Sequence, residues 1–168
     1  MTTDQKGAIA EQAIALAAIK LGIEVYRPVA EGGRFDMILV LGGRLVRVQC
    51  KWATRAGEVV VVRCHSNRRT REGLVRRLYT PEEIDAFAGY CQELDRSFLM
   101  PIEQFRTYEI RLRLSAPRNN QRRGIHWADD FDFAATLGRN QGAVAQLGER
   151  RRGTPKATGS SPVGSITN

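Results

Sequence analysis

Three side chains in one short stretch have the types and spacing to do chemistry together: Asp36, Gln49 and Lys51. They fall within residues 34–52, which read R-F-D-M-I-L-V-L-G-G-R-L-V-R-V-Q-C-K-W. Two apolar, β-branched-rich runs, 37–41 and 45–48, flank Gly42-Gly43. A Gly-Gly pair in that setting predicts a two-residue hairpin turn, because such turns need positive φ at their centre. With the glycines as the turn, Leu41 faces Arg44, Val40 faces Leu45, Ile38 faces Arg47, and Asp36 falls opposite Gln49. Opposed residues share a face of the pair and side chains alternate along each strand. Asp36, Gln49 and Lys51 are therefore expected as one polar patch. A carboxylate beside an amide oxygen offers hard ligands suited to Mg²⁺. A lysine on the same face can neutralise phosphate charge or orient an attacking water. That is the chemistry of metal-assisted phosphodiester hydrolysis, although residue type alone equally describes the outer face of a half-exposed hairpin.

The elements before the hairpin must bring any further ligand to this patch. Thr3 and Asp4 are candidate N-caps for a helix over residues 4–21, stopped by Gly22. Its apolar residues Ile9, Ala13, Leu16 and Ala17, with Ala10, Ile14 and Leu21 beside them, predict a broad buried face. Glu11 lies at an edge of that face, with Ala15 and Ala18 at i+4 and i+7. Small neighbours let that side of a helix approach a sheet closely, so the Glu11 carboxylate could reach the patch. A solvated Glu on a helix flank is the alternative. A short strand over 22–28, closed by Pro28, and a turn over 29–33 then lead into the hairpin.

With G-A-I-A-E-Q near the N-terminus, then R-F-D-M-I-L-V and V-R-V-Q-C-K-W, the chain resembles the PD-(D/E)XK nuclease superfamily. It is most similar to the group I intron-type homing endonucleases and more loosely similar to archaeal Holliday junction resolvases. The similarity is strongest over residues 7–53 and extends weakly to about 133. It implies an α/β (α+β) restriction-endonuclease-like core, a mixed central sheet flanked by helices. It also implies that Glu11, Asp36 and Gln49 shape a site for Mg²⁺, with Mn²⁺ able to substitute, and that Lys51 is the catalytic lysine. Gln49 replaces the superfamily's usual acid, as in the intron-type branch, and an amide adds no charge to the metal site.

Beyond Ala53, residues 54–57 are expected to turn the chain and 58–64 to form a β-branched, central strand. Residues 63–77 then hold six arginines against the single acid Glu72. A loop carrying Arg63, Asn67, Arg68, Arg69, Arg71 and Arg76 suits phosphate contacts and base-edge hydrogen bonds. Arginine without lysine favours phosphate recognition, since the guanidinium fork matches it bidentately. His65 reads as a surface histidine and Asp85 as structural. Strands are expected over 86–91, 97–102 and 108–114, the last from its clean alternation. A second basic loop carries Arg118, Asn119, Asn120, Gln121, Arg122 and Arg123, types that read guanine and adenine edges. Residues 125–133 return Trp127, Phe131 and Phe133 to the core, and Asp129, Asp130 and Asp132 mark a helix start.

At 168 residues, 42% hydrophobic and 26% charged, the chain has ordinary globular composition. No apolar run approaches the ~20 residues of a membrane helix, and no secretory signal is evident, so a cytoplasmic protein is expected. Cys50, Cys64 and Cys91 have no metal or disulfide spacing and read as buried thiols. The net charge is +8, but residues 138–168 supply half of it, so the argument for nucleic acid rests on clusters. The folded domain is expected over 1–137, with 138–168 a basic, disordered tail. Residues 158–163, T-G-S-S-P-V, can be back-translated into the T-arm of a tRNA gene, and 146–150 into a D-arm, in order. That suggests a reading frame running into a tRNA locus. The expected partner is double-stranded DNA, cut by a homodimer or homotetramer because a near two-fold duplex needs two active sites. A junction-specific resolvase and a non-catalytic DNA-binding module are the competing readings.

Overall fold

The structure is a computed structural model that describes residues 1–30, 32–71, 73–116 and 124–139, with only the backbone at 68–70, 74 and 139. The second basic loop, Arg118 to Arg123, and everything from residue 140 on lie outside the described residues. Helix α1 (Thr3–Lys20) opens the chain. Three strands follow: β1 (Val25–Tyr26), β2 (Met37–Leu41) and β3 (Arg44–Ala56). Next come β4 (Val59–Arg63), β5 (His65–Thr70) and β6 (Gly73–Leu78). The remainder is β7 (Ala86–Cys91), β8 (Arg96–Pro101), β9 (Glu109–Arg113), β10 (His126–Trp127) and helix α2 (Phe133–Arg139).

The cap of α1 is Thr2, one residue before the expected candidates. Its side chain accepts from Gln5 N while the Gln5 side chain accepts from Thr2 N, a reciprocal capping box. The buried stripe also differs from the apolar face expected. Ala10, Ile14, Ala15 and Ala18 are buried, whereas Leu16 and Ile19 are more than half exposed. The reason is the closeness of the sheet, since small side chains on α1 meet Ala86, Ala88 and Cys50 in one cluster. The side of the helix that carries Glu11, Ala15 and Ala18 is thus the one laid on the sheet.

The Gly-Gly turn forms as expected, with φ of 56° at Gly42 and 77° at Gly43. The register runs from Leu41↔Arg44 to Met37↔Val48. Strand β3 is longer than expected, continuing through residues 54–56 before the turn at Gly57. Eight strands form one mixed sheet around β3, in the order β1-β2-β3-β4-β9-β10, with β7 and β8 attached through β7. Val48 pairs with both Met37 and Ala86, and Ala53 with both Val62 and Cys91, so β3 is bonded along both edges. One edge takes β2 and then β4, both antiparallel, and the other takes β7 in parallel. Between Val48 and Ala53 the first edge has neither neighbour in register, so the sheet forks there. One sheet face packs under α1 and α2 around Met37, Leu39, Val48 and Phe133. The other carries Val60, Val62, Phe87, Phe98, Met100 and Ile110.

The first arginine-rich segment is not a loop. Residues 65–78 form β5 and β6, a separate two-stranded antiparallel arm. Period-2 alternation is missing because little of the arm is buried: Arg76, Arg77 and Val75 are exposed. Asp85 is structural as expected, its carboxylate accepting from Arg47 N at 2.8 Å and Arg47 Nε at 3.0 Å. Asp132 caps α2 by accepting from Ala135 N at 3.1 Å.

Candidate active site at the fork of the sheet

The fork leaves backbone groups of β3 without a strand partner, and the candidate residues supply what is missing. Asp36 stands one residue before β2, its N–H bonded to Val48 O at 2.9 Å. Its Oδ2 accepts from Cys50 N at 2.7 Å, taking the place of the absent strand carbonyl. Gln49 Nε2 donates to the same Asp36 oxygen and to Cys50 O at 3.3 Å. An unpaired buried amide group costs on the order of 1–3 kcal/mol, so these two side chains complete the ladder at the fork. The amide orientation follows from its two acceptors, which need the NH₂ end, and the Gln49 oxygen is the end left to other partners. Gln49 is 8% exposed and is one of only two buried polar or charged residues among those described.

Burial pushes the Asp36 carboxyl above its usual range; the Cys50 N–H, Lys51, Gln49 and Arg27 oppose this without overcoming it. Glu11 stands on the sheet-facing side of α1 and forms an ion pair with Arg27, Nη2 to Oε2 at 3.8 Å. Glu11 and Asp36 both act on the buried Cys50 thiol, which desolvation first and these charges second hold well above its usual value. The two carboxylates therefore approach Cys50 from α1 and from the hairpin, with Arg27 between them in charge. Cys64 is likewise held neutral by burial, pushed to about 12, so neither thiol is a nucleophile.

Lys51 shares the face of Asp36 and Gln49, as the alternation requires. On the neighbouring strand its partner is Gly89. A Cβ there would lie 3.1 Å from Val62 and 3.3 Å from Met100, so the glycine lets these side chains close under the lysine. The Lys51 Nζ donates to Tyr79 Oη at 3.2 Å and to His65 O at 3.4 Å. Asp36, Gln49 and Lys51 are thus brought together, whereas Glu11 stands on α1 paired with Arg27, whose charge reaches Asp36.

Of the arm residues, Asn67 and Arg76 are opposed in register, exposed, and share one face. Arg63 is exposed at the end of β4 and Arg71 lies in the turn of the arm. Arg68 and Arg69 lie in β5, opposite Val75 and Leu74. Arg118, Asn119, Asn120, Gln121, Arg122 and Arg123 are outside the described residues. Three residues at the site carried little sequence signal: Arg27, Arg34 and Tyr79. Arg34 alone was accessible, because it precedes Asp36 by two and so shares its side of the extended chain. Tyr79 meets Lys51 across 28 residues, which no local pattern announces.

The donors are oxygens from a carboxylate and an amide, with a second carboxylate one ion pair away. Oxygen donors of this kind suit a hard divalent cation, but no group of three or more His, Cys, Asp or Glu able to hold a metal occurs among the described residues. No helix among the described residues is long and apolar enough to cross a membrane. None of the curated proteins matches the chain. Among solved structures it is similar to a bacterial homing endonuclease, I-Ssp6803I, with a TM-score of 0.70 and 26% sequence identity. The match covers 92% of this chain and 100% of that one. The PD-(D/E)XK endonuclease profile matches residues 1–134, a span that includes α1, the forked sheet and all four candidate residues. By that match, and with Asp36 and Gln-x-Lys set where its sheet divides, the chain belongs to the PD-(D/E)XK endonuclease family.

Proposed function

We propose that the protein is a Mg²⁺-dependent, site-specific endonuclease of homing type that cuts double-stranded DNA. The observation that carries the reading is the meeting of Asp36 and Gln49 at the fork, with Lys51 on the same face. Asp36, Gln49 and Glu11 would hold the ion; Mn²⁺, equally fond of carboxylate oxygen, would serve as well. Bound there, the ion would supply a water of lowered pKa and neutralise charge on the phosphate. Asp36 is held ready by the Cys50 N–H, so its second oxygen is free of the backbone ladder. Lys51 sets a positive charge on this face to meet the charge that develops on the phosphate.

Asn67, Arg76 and the other arginines of the arm would contact DNA, since a two-stranded ribbon fits the major groove. We place Arg63, Arg68, Arg69 and Arg71 in the same role, and the loop carrying Arg118 to Arg123 as a second contact. Two sites are needed to cut both strands, so the active form is read as a homodimer or homotetramer. The apolar side chains left exposed on α1, Leu16, Ile19 and Leu21, support an interface there. The boundary expected at 137 falls two residues before the end of α2 at Arg139, and the basic segment that follows is taken as a tail read from a tRNA gene.

The test is cleavage of a cloned tRNA locus from the source genome, with and without Mg²⁺. A single Mg²⁺-dependent double-strand cut, lost in Lys51→Ala and Asp36→Ala while DNA binding persists, is expected. Retained cleavage in both variants would sink the site assignment. Nicking of four-way junctions with no cut in linear DNA would replace homing with resolvase activity.

A further inference from the structure

The reading above gives Lys51 a task but leaves unsaid what aims it. A lysine stem has four rotatable bonds, and holding its ammonium in one place costs up to about 2 kcal/mol of side-chain freedom. Two acceptors hold it here, Tyr79 Oη at 3.2 Å and His65 O at 3.4 Å. The ammonium also lies 4.9 Å from the centroid of the Tyr79 ring. Tyr79 is itself fixed: it is 7% exposed and its ring meets Phe87 edge-on at 5.4 Å. The Arg34 guanidinium stacks on the ring at 3.9 Å.

His65 begins β5 and Tyr79 follows the end of β6, so both acceptors belong to the root of the arm. Arg34 knits the same root. It donates to Ser66 Oγ at 3.0 Å, to Leu78 O at 3.0 Å and to Glu83 Oε2 at 2.9 Å. Glu83 in turn accepts from Arg77 of the arm. His65 Nδ1 also meets Tyr108 O at 3.1 Å, so the root is tied to the start of β9 as well. Its contacts through His65 O and Tyr79 are the ones that border Lys51.

We propose that Tyr79 is a positioning residue for Lys51, and that through Arg34 the seating of the arm sets where the Lys51 ammonium stands. The proposal rests on the reading of Lys51 as the catalytic lysine. On this view the element that grips DNA and the charge that meets the scissile phosphate share one anchor. Removing the Tyr79 hydroxyl alone slows the chemical step without weakening DNA binding, whereas removing Arg34 disturbs both.

The test uses Tyr79→Phe, which deletes the hydroxyl and keeps the ring for Phe87 and Arg34. Two quantities are measured on the full chain: the single-turnover cleavage rate at saturating DNA, and the rate of reductive methylation of each lysine, read by mass spectrometry. Lys6 and Lys20 serve as internal references. The expected result is methylation of Lys51 several-fold faster than in the unaltered protein, with Lys6 and Lys20 unchanged. Cleavage should slow about tenfold at unaltered Kd for DNA, the ~1.4 kcal/mol of one lost hydrogen bond to a charge. Arg34→Met should do both and weaken DNA binding as well. Unchanged methylation of Lys51 in Tyr79→Phe overturns the proposal. Faster methylation with an unchanged cleavage rate also overturns it, and Lys51→Ala then locates the failure. If Lys51→Ala is inactive the fault lies with Tyr79, and if it still cuts, with the reading of Lys51 itself.

Discussion

The molecule contains two antiparallel hairpins that differ in what holds them. The hairpin of β2 and β3 turns at two glycines and buries Met37, Leu39 and Val48 completely against α1. The arm of β5 and β6 carries arginines, and its described tip positions are exposed. The first is held by apolar area along its whole length, worth roughly 25 cal/mol per Å². The second is held at its root alone, through Arg34, Tyr79 and Glu83. The difference divides the labour. A packed hairpin holds Asp36 and Gln49 against each other, as the proposed site would require. In the arm, Asn67 and Arg76 are exposed on one face, where the proposed contact with a DNA groove would fall.

Four substitutions sharpen that division, beginning with the largest effect. Leu39→Ala opens a void in the packed hairpin and should cost about 2–5 kcal/mol in urea unfolding. Val75→Ala in the arm should change stability by less than about 0.5 kcal/mol; a loss as large as at Leu39 would mean the arm has a core of its own. Arg76→Ala should leave unfolding unchanged but weaken DNA binding by about 1–3 kcal/mol if it reads a base. If it meets phosphate instead, the slope of log K against log salt should fall by about 1. No change in either affinity or slope would remove that face of the arm from the interface. Gly43→Ala sits between the two classes. It keeps the packed faces but forces φ of 77° on a residue with a Cβ, and should cost about 1 kcal/mol.

The same contrast explains what could be read in the sequence. The site hairpin was legible down to its register because burial imposes alternation and the turn demands glycine, so Asp36, Gln49 and Lys51 followed by geometry. Glu11 was legible as a residue on a small-faced helix side, since Ala15 and Ala18 mark where α1 must come close. The arm was taken for a loop because Asn67, Val75, Arg76 and Arg77 are all exposed, and a strand without a buried face leaves no period for a reader to find. The α1 stripe was misplaced for a related reason. Leu16 and Ile19 outweigh alanine in any hydrophobicity pattern, yet close approach to Ala86 and Ala88 selects the alanines. Tyr79 and Arg34 act across 28 to 49 residues of chain, a coincidence that only folding reveals.

The smallest effect expected concerns charge and tests the packed hairpin against its own task. Burial raises the Asp36 carboxyl above its unfolded value, more than Lys51 and Arg27 lower it. A group raised in the folded state adds stability that is complete below the unfolded value, about 4 for a carboxyl, and is lost as pH rises through the folded value. Wherever Asp36 is ionised, the fold therefore carries it at a net disadvantage that packing elsewhere offsets. Asp36→Asn keeps the shape, and its amide oxygen can still accept from both Cys50 N and Gln49 Nε2. It should raise Tm slightly at pH 7, with the gain shrinking as pH falls toward about 4, while cleavage is lost. In the metal-free protein the Asp36 carboxyl should titrate above the ordinary carboxyl range, and a bound divalent ion should pull it back down. A fall in Tm for Asp36→Asn at neutral pH would mean that the carboxylate's hydrogen bonds and the nearby Lys51 outweigh its burial. The fork would then be a stabilising feature of the hairpin and not a strained one.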